Sequence, residues 1–257
     1  HNPQHDLIFT WNGTTSGTCI PNGDWIHDNR EGLTICDATS AVFCVELPWK
    51  KLDITAYSWQ KGLGGEAAHG MLVLSPQALE RLKSYQPPWP LPRLFRLTNQ
   101  AQLIEGIFRG ETINTPSLLC AEDCLYALQW AEEIGGLQTL INRCQTNFSI
   151  IEKWVHKTDW INFMAKDRSI TSQTSVCLIL PKLSKYHLET QRNFLKSFAS
   201  LLRNEEAAYE VVNHMHAPPS LRIWCGPTVE SNDIDLLLPW LEWAYQKTCL
   251  DLDLENF

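Results

Sequence analysis

In the first third of the chain apolar residues come in short unbroken runs: LIFTWN (7–12), GLTICDA (32–38), LDITAYSW (52–59) and GMLVLS (70–75), bounded by Gly, Asn, Pro or Asp. Runs of this length, rich in β-branched and aromatic residues, predict strands. Their apolar character is continuous rather than alternating, which predicts coverage on both faces, as in a mostly parallel sheet flanked by helices. SPQALERLKSY (75–85) then switches to helical spacing, with Ser75 placed as N-cap and Pro76 at the first helical position. A proline-rich connector, QPPWPLPRL (86–94), interrupts the pattern.

From Pro116 the period becomes helical. PSLLCAEDCLYALQWAEEIG (116–135) ends at a glycine pair, and LQTLINRCQTNFSIIEKWVHKT (137–158) restarts as a long amphipathic helix that links two domains. Strand-like and helical stretches alternate thereafter: WINFMA (160–165), TSVCLIL (174–180), ETQRNFLKSFASLLRN (189–204), LRIWCG (221–226) and IDLLLPWLEWAYQKTCL (234–250). Such alternation predicts a smaller α/β domain over 136–257, behind a larger unit over 1–135.

The 257 residues, 44% of them apolar, suffice for one large domain or two modest ones. A net charge of −8, with no Lys/Arg cluster interleaved with aromatics, argues against nucleic acid as a partner. The longest apolar runs, such as VCLILP, fall far short of the roughly 20 residues that span a bilayer, and no charged-then-apolar segment opens the chain. These features predict a cytoplasmic protein without a membrane partner. The nine cysteines are scattered, without a C-x-x-C pair and mostly within apolar runs, so buried thiols in a reducing compartment are expected rather than disulfides or a metal site. The first residue is His1, so the sequence is expected to begin partway through something longer.

Candidate chemistry gathers in the first half. Asp37 closes the LTIC run, at the strand end where open α/β sheets present ligand-binding groups. Lys61 lies just past the next run, and NGTTSG (12–17) ends the run before them, offering hydroxyls and a flexible backbone. A lysine between apolar segments loses hydration, which lowers its pKa and frees the amine to attack a carbonyl. An aspartate paired with a pyridinium nitrogen keeps such a ring an electron sink. The same two residues are also compatible with a solvated surface lysine and a helix N-cap. The GLGG turn (62–65) fits neither a P-loop nor a dinucleotide fingerprint and reads as a tight exit from its strand.

Five blocks in order, TWNGTTSG (10–17), ICDATSA (35–41), SWQKGLGGEAAHGMLVLS (58–75), GETINTPSLLCAEDCL (110–125) and APPSLRIWCGPTVE (217–230), resemble the phosphoserine aminotransferase family, in its alphaproteobacterial and methanogen-type branch. The resemblance implies a pyridoxal 5'-phosphate enzyme with the aspartate-aminotransferase-like fold (fold type I), here an incomplete large cofactor-binding domain and a small C-terminal α/β domain. It also implies a homodimer with sites at the subunit interface. Lys61 would bond the cofactor aldehyde and shuttle the α-proton, Gln60 would contact the cofactor phosphate, and Asp37 would hold the pyridine nitrogen. Thr14 would bond near the ring oxygen, and Asn114 and Thr115 would reach the phosphate of the partner subunit's cofactor. Arg222 would grip the substrate α-carboxylate through its planar fork. The implied reaction interconverts phosphoserine and 2-oxoglutarate with 3-phosphohydroxypyruvate and glutamate, in serine biosynthesis.

The chain departs from the family pattern twice. Family members carry an upstream segment with the ring-stacking aromatic, a phosphate-binding loop at a helix N-terminus and a substrate arginine, none of which this sequence contains. Loss of those strands and helices would also leave sheet edges and faces uncovered. A catalytically silent piece that pairs with a separate N-terminal half is therefore an alternative. Relatives also carry an arginine, which helps bind the substrate phosphate, where this chain has Met215. His214 and His216 would supply charge there only when protonated. A same-fold aminotransferase for an unphosphorylated amino acid is the corresponding alternative.

Overall fold

A computed structural model describes residues 2–253. Strand β1 (Leu7–Thr10) leads into a hairpin of β2 (Asn12–Gly13) and β3 (Thr18–Cys19). Strands β4 (Thr34–Asp37), β5 (Ile54–Tyr57) and β6 (Met71–Leu74) follow. The main sheet has the order β1-β4-β5-β6, parallel from β1 to β5 and antiparallel at β6. All four predicted strand runs are present. Their expected coverage is not: Ile8 is 81% exposed, and Met71, Leu72 and Val73 are exposed too. Continuous apolar sequence here marks a surface with little packed on it.

Helix α1 (Pro76–Ser84) starts where expected, with the Ser75 hydroxyl accepting from the Ala78 amide. The same hydroxyl donates to Asp53 Oδ1 at 2.7 Å. Asp53, buried, also accepts from Arg30 (2.8 Å), the Thr34 amide (2.9 Å) and the Thr34 hydroxyl (3.0 Å). Burial by itself pushes this carboxyl up, but those hydrogen bonds outweigh it and hold its pKa below the ordinary value. The cluster ties the start of β4, the start of β5 and the head of α1 together.

A small hairpin, β7 (Thr98–Asn99) with β8 (Gln102–Leu103), follows the proline connector. Helix α2 (Leu118–Glu133) is capped by Ser117, and the left-handed Gly135 separates it from α3 (Gly136–Val155). The end of α3 near its start packs Leu140 with Trp59, Leu63, Cys120 and Ala131. Its other end packs Phe148, Ile151 and Val155 into the C-terminal core.

That core lies between α3, α4 (Leu188–Asn204), α5 (Ser231–Asp251) and an antiparallel sheet of order β11-β10-β9, built from β9 (Asn162–Phe163), β10 (Ser175–Ile179) and β11 (Leu221–Trp224). The WINFMA run yields only the two residues of β9, because Trp160 and Ile161 turn inward to the core. Trp160 stacks on Tyr245 at 4.1 Å, and the indole N–H groups of Trp154 and Trp160 both donate to Glu242, each at 2.8 Å. Helix α5 runs through Pro239.

The two units meet around the β2–β3 turn. Asn12 Nδ2 donates to the Ser40 carbonyl (2.8 Å) and to Thr174 Oγ1 (3.2 Å). Asn213 Nδ2 donates to the Thr15 carbonyl (2.9 Å), and the Ser172 amide to the Gly17 carbonyl (2.8 Å). Gly17, at φ +65°, lies against β10 so closely that a Cβ there would sit 2.8 Å from Cys177 Cβ.

Candidate active site

Three elements converge on one cavity of about 480 Å³ lined by Thr14, Gln60, Lys61, Arg222 and Trp224. Thr14 is placed by the clamped turn just described, its carbonyl accepting from Cys177 Sγ. Lys61 leaves β5 on a tight turn in which the Leu63 amide bonds the Trp59 carbonyl at 3.1 Å. Gly62 passes so near the Val42 carbonyl that a Cβ would lie 2.5 Å from it, and Gly64 takes φ +71°. The glycines next to the lysine therefore serve chain passage, which accounts for the GLGG stretch.

Arg222 comes from the other unit. Along β11, Leu221 and Ile223 are buried in the C-terminal core, so Arg222 and Trp224 project from the opposite face of the strand. Lys61 Nζ stands 5.8 Å from the centroid of the Trp224 ring. Burial lowers the Lys61 pKa, and the Arg222 charge lowers it further. A larger fraction of its amine is thus neutral and nucleophilic at a given pH than for an exposed lysine.

Asp37 ends β4 at the same sheet edge, between the strands that lead to Thr14 and Lys61: its Cα pairs with Thr10 on one side and Ala56 on the other. It stands outside the cavity lining. Its Oδ1 accepts from the Thr39 amide (3.0 Å) and hydroxyl (2.7 Å), whereas Oδ2 accepts from no donor among the described residues.

Asn114 and Thr115 lie exposed in the loop before α2, away from this cavity. His214 lines a different cavity, of about 460 Å³, between α4 and the 211–220 segment, with Arg192 and Lys196. Met215, beside it, is 71% exposed. Sequence reasoning missed Trp224, although its position two residues beyond Arg222 on a strand puts both side chains on one face. It also missed Glu210 and Asp233, which line the Lys61 cavity and carry no motif. No group of three or more His, Cys, Asp or Glu side chains suited to a metal occurs among the described residues.

No family model matches the chain. Among solved structures, a phosphoserine aminotransferase from Cytophaga hutchinsonii matches 93% of this chain and 63% of its own, with a TM-score of 0.75 at 16% identity. The pyridoxamine-pyruvate aminotransferase of Mesorhizobium loti matches 96% of this chain and 61% of its own, with a TM-score of 0.76 at 18% identity. The chain therefore shares the fold of these aminotransferase structures. Phosphoserine aminotransferases of Methanosarcina mazei and Methanosarcina barkeri are each 52% identical to it over 242 residues, which is 94% of this chain and 63% of theirs. The chain spans less than two thirds of the length of these relatives.

Proposed function

We propose that this chain carries the lysine-bearing side of the active site of a phosphoserine aminotransferase. It interconverts phosphoserine and 2-oxoglutarate with 3-phosphohydroxypyruvate and glutamate, in serine biosynthesis, as a cytoplasmic homodimer dependent on pyridoxal 5'-phosphate. The observation that carries this reading is the single cavity that brings a lysine of lowered pKa from one unit against an arginine from the other.

The donor set fits the cofactor. Asp37 offers one carboxylate oxygen fixed by Thr39 and one left open, at a strand end flanked by the segments that lead to Thr14 and Lys61. Bound there, pyridoxal phosphate supplies an electron sink for the pair left on the substrate α-carbon when its proton departs. Asp37 would hold the proton on the cofactor's pyridine nitrogen. Lys61 Nζ would hold the cofactor at its aldehyde end and would move the proton at the substrate α-carbon, a role that its lowered pKa favours. Thr14 and Gln60, which line the cavity, would hold the ring oxygen and the phosphate respectively. Arg222 grips the α-carboxylate as a bidentate fork and so orients the α-hydrogen. Exposed Asn114 and Thr115 are free to reach the cofactor phosphate in the partner subunit.

Incubation with pyridoxal phosphate, borohydride reduction and peptide mapping test this reading. The label is expected on Lys61 and is lost in Lys61→Ala. Absence of label at high cofactor concentration would mean that the chain is silent without a complementing segment.

A second reading has its own support. Among the described residues Lys61 and Arg222 are the only Lys or Arg side chains lining the cavity, and His214 and Met215 line a different one, so no further cation among them is at hand for a substrate phosphate. An unphosphorylated amino acid is the corresponding substrate. Half-reactions with phosphoserine, serine and alanine decide between the two, and faster turnover of alanine removes phosphoserine from the account.

A further inference from the structure

Trp224 is seated with unusual tightness. A Cβ on Gly226 would collide with Nε1, Cε2 and Cζ2 of the Trp224 indole, so the ring lies directly on the glycine backbone. That backbone is itself held, its carbonyl accepting from Asn147 Nδ2 (3.2 Å) and from the Val229 amide (3.1 Å). The indole is thus fixed two residues after Arg222 on the same strand face, with Lys61 Nζ 5.8 Å from its centroid.

A ring face attracts an ammonium through its quadrupole and has no comparable attraction for the neutral amine. The other charged groups around this amine are few. From β11 comes the Arg222 guanidinium, which repels the ammonium; from α5, Asp233; and from the segment before β11, Glu210, which is engaged by Arg203 at 3.1 Å, with the Tyr209 phenol beside it. Thr14 and Gln60 are neutral. Arg222 and Trp224, on one strand face, therefore act on the lysine in opposite senses.

Resting on the reading of Lys61 given above, we infer that Trp224 is a positioning residue for the Lys61 amine. Its indole, seated on Gly226, holds the ammonium form beside Arg222 when the lysine is not bonded to the cofactor. The tryptophan thereby keeps the amine in the cavity beside the arginine and opposes the repulsion between the two cations. Leucine at 224 would keep the apolar bulk and remove the quadrupole, phenylalanine would keep a weaker quadrupole, and alanine at 226 would displace the indole.

The test follows Lys61 without cofactor. The pH dependence of its acylation by trace acetic anhydride, read by mass spectrometry on the Lys61 peptide, gives the amine's titration. Trp224→Leu is expected to lower the midpoint by about half to one pH unit, with Trp224→Phe in between and Gly226→Ala shifted the same way. If the leucine variant does not fold, the smaller downward shift of the phenylalanine variant decides. An unchanged or raised midpoint in the folded variants overturns the inference. A shifted midpoint in a protein whose Lys61 never captures pyridoxal phosphate would instead sustain the positioning role and remove the proposed aminotransferase reaction.

Discussion

The runs GMLVLS and TSVCLIL look alike as sequence, but the structure treats them oppositely. Strand β10, from TSVCLIL, is buried from Ser175 through Leu178, inside a sheet packed by α3, α4 and α5. Strand β6, from GMLVLS, shows Met71, Leu72 and Val73 to solvent on the edge of the other sheet. A continuous apolar run reports the capacity to be covered; the cover itself depends on which helices the rest of the chain brings. The C-terminal unit therefore resembles a self-sufficient domain core, and the N-terminal sheet an open platform. The candidate cavity draws from both, Thr14, Gln60 and Lys61 from the platform and Arg222 and Trp224 from the closed unit.

The strongest way to break this contrast is to cut the closed core. Phe198, fully buried on α4, packs among the residues of the C-terminal cluster. Phe198→Ala is expected to cost about 3–5 kcal/mol in denaturant unfolding followed by circular dichroism. A cost below about 1 kcal/mol would mean that the C-terminal unit is as loosely covered as the other.

The platform has one tightly held place of its own, the Asp53 cluster. Arg30→Ala leaves a buried carboxylate short of its cation and is expected to cost about 3 kcal/mol. The pH dependence has a fixed sign. Because the folded pKa of Asp53 lies below its ordinary value of 3.8, its stabilisation is present above that pH and is lost as pH falls through the folded value. Acid titration of the unfolding midpoint should show this loss in the wild type and a smaller one in Asp53→Asn. Equal acid sensitivity of the two would show that other carboxylates govern acid unfolding.

The seam between units is next. Gly17→Ala puts a Cβ 2.8 Å from Cys177 Cβ at a residue with φ +65°, with an expected cost of about 2 kcal/mol. Because the same turn carries Thr14, capture of pyridoxal phosphate by Lys61 should weaken along with stability. Loss of stability with unchanged capture would separate the turn from the site.

Much of this was legible in advance, for identifiable reasons. The N-cap chemistry of Ser75 and the glycine pair at 135–136 are local and marked the ends of α1 and α2. The placement of Asp37 at the end of β4 and of Lys61 in the turn after β5 was readable because sequence position next to a strand end fixes location on the sheet. Arg222 was found by resemblance, and its meeting with Lys61 depends on contacts between residues more than 150 apart in sequence, such as Asn213 to Thr15 and Thr174 to Asn12. No local pattern encodes those. The Asp53 cluster escaped for the same reason: Arg30, Thr34, Asp53 and Ser75 lie on four separate segments and each alone reads as an ordinary polar residue.

The smallest expected effect is the sharpest test of the open platform. Ile8, on edge strand β1, is 81% exposed, so truncation removes almost no buried apolar area. Threonine at this position keeps the β-branched side chain that a strand accommodates, so Ile8→Thr isolates the effect of coverage from that of strand propensity. The unfolding midpoint is expected to move by no more than about 0.5 kcal/mol, the range of ordinary surface substitutions. A cost above about 1 kcal/mol that grows with protein concentration would mean that a second copy covers β1 in solution, since only an associated state makes stability depend on concentration. The contrast between a closed unit and an open one would then describe the isolated chain and not the molecule that works.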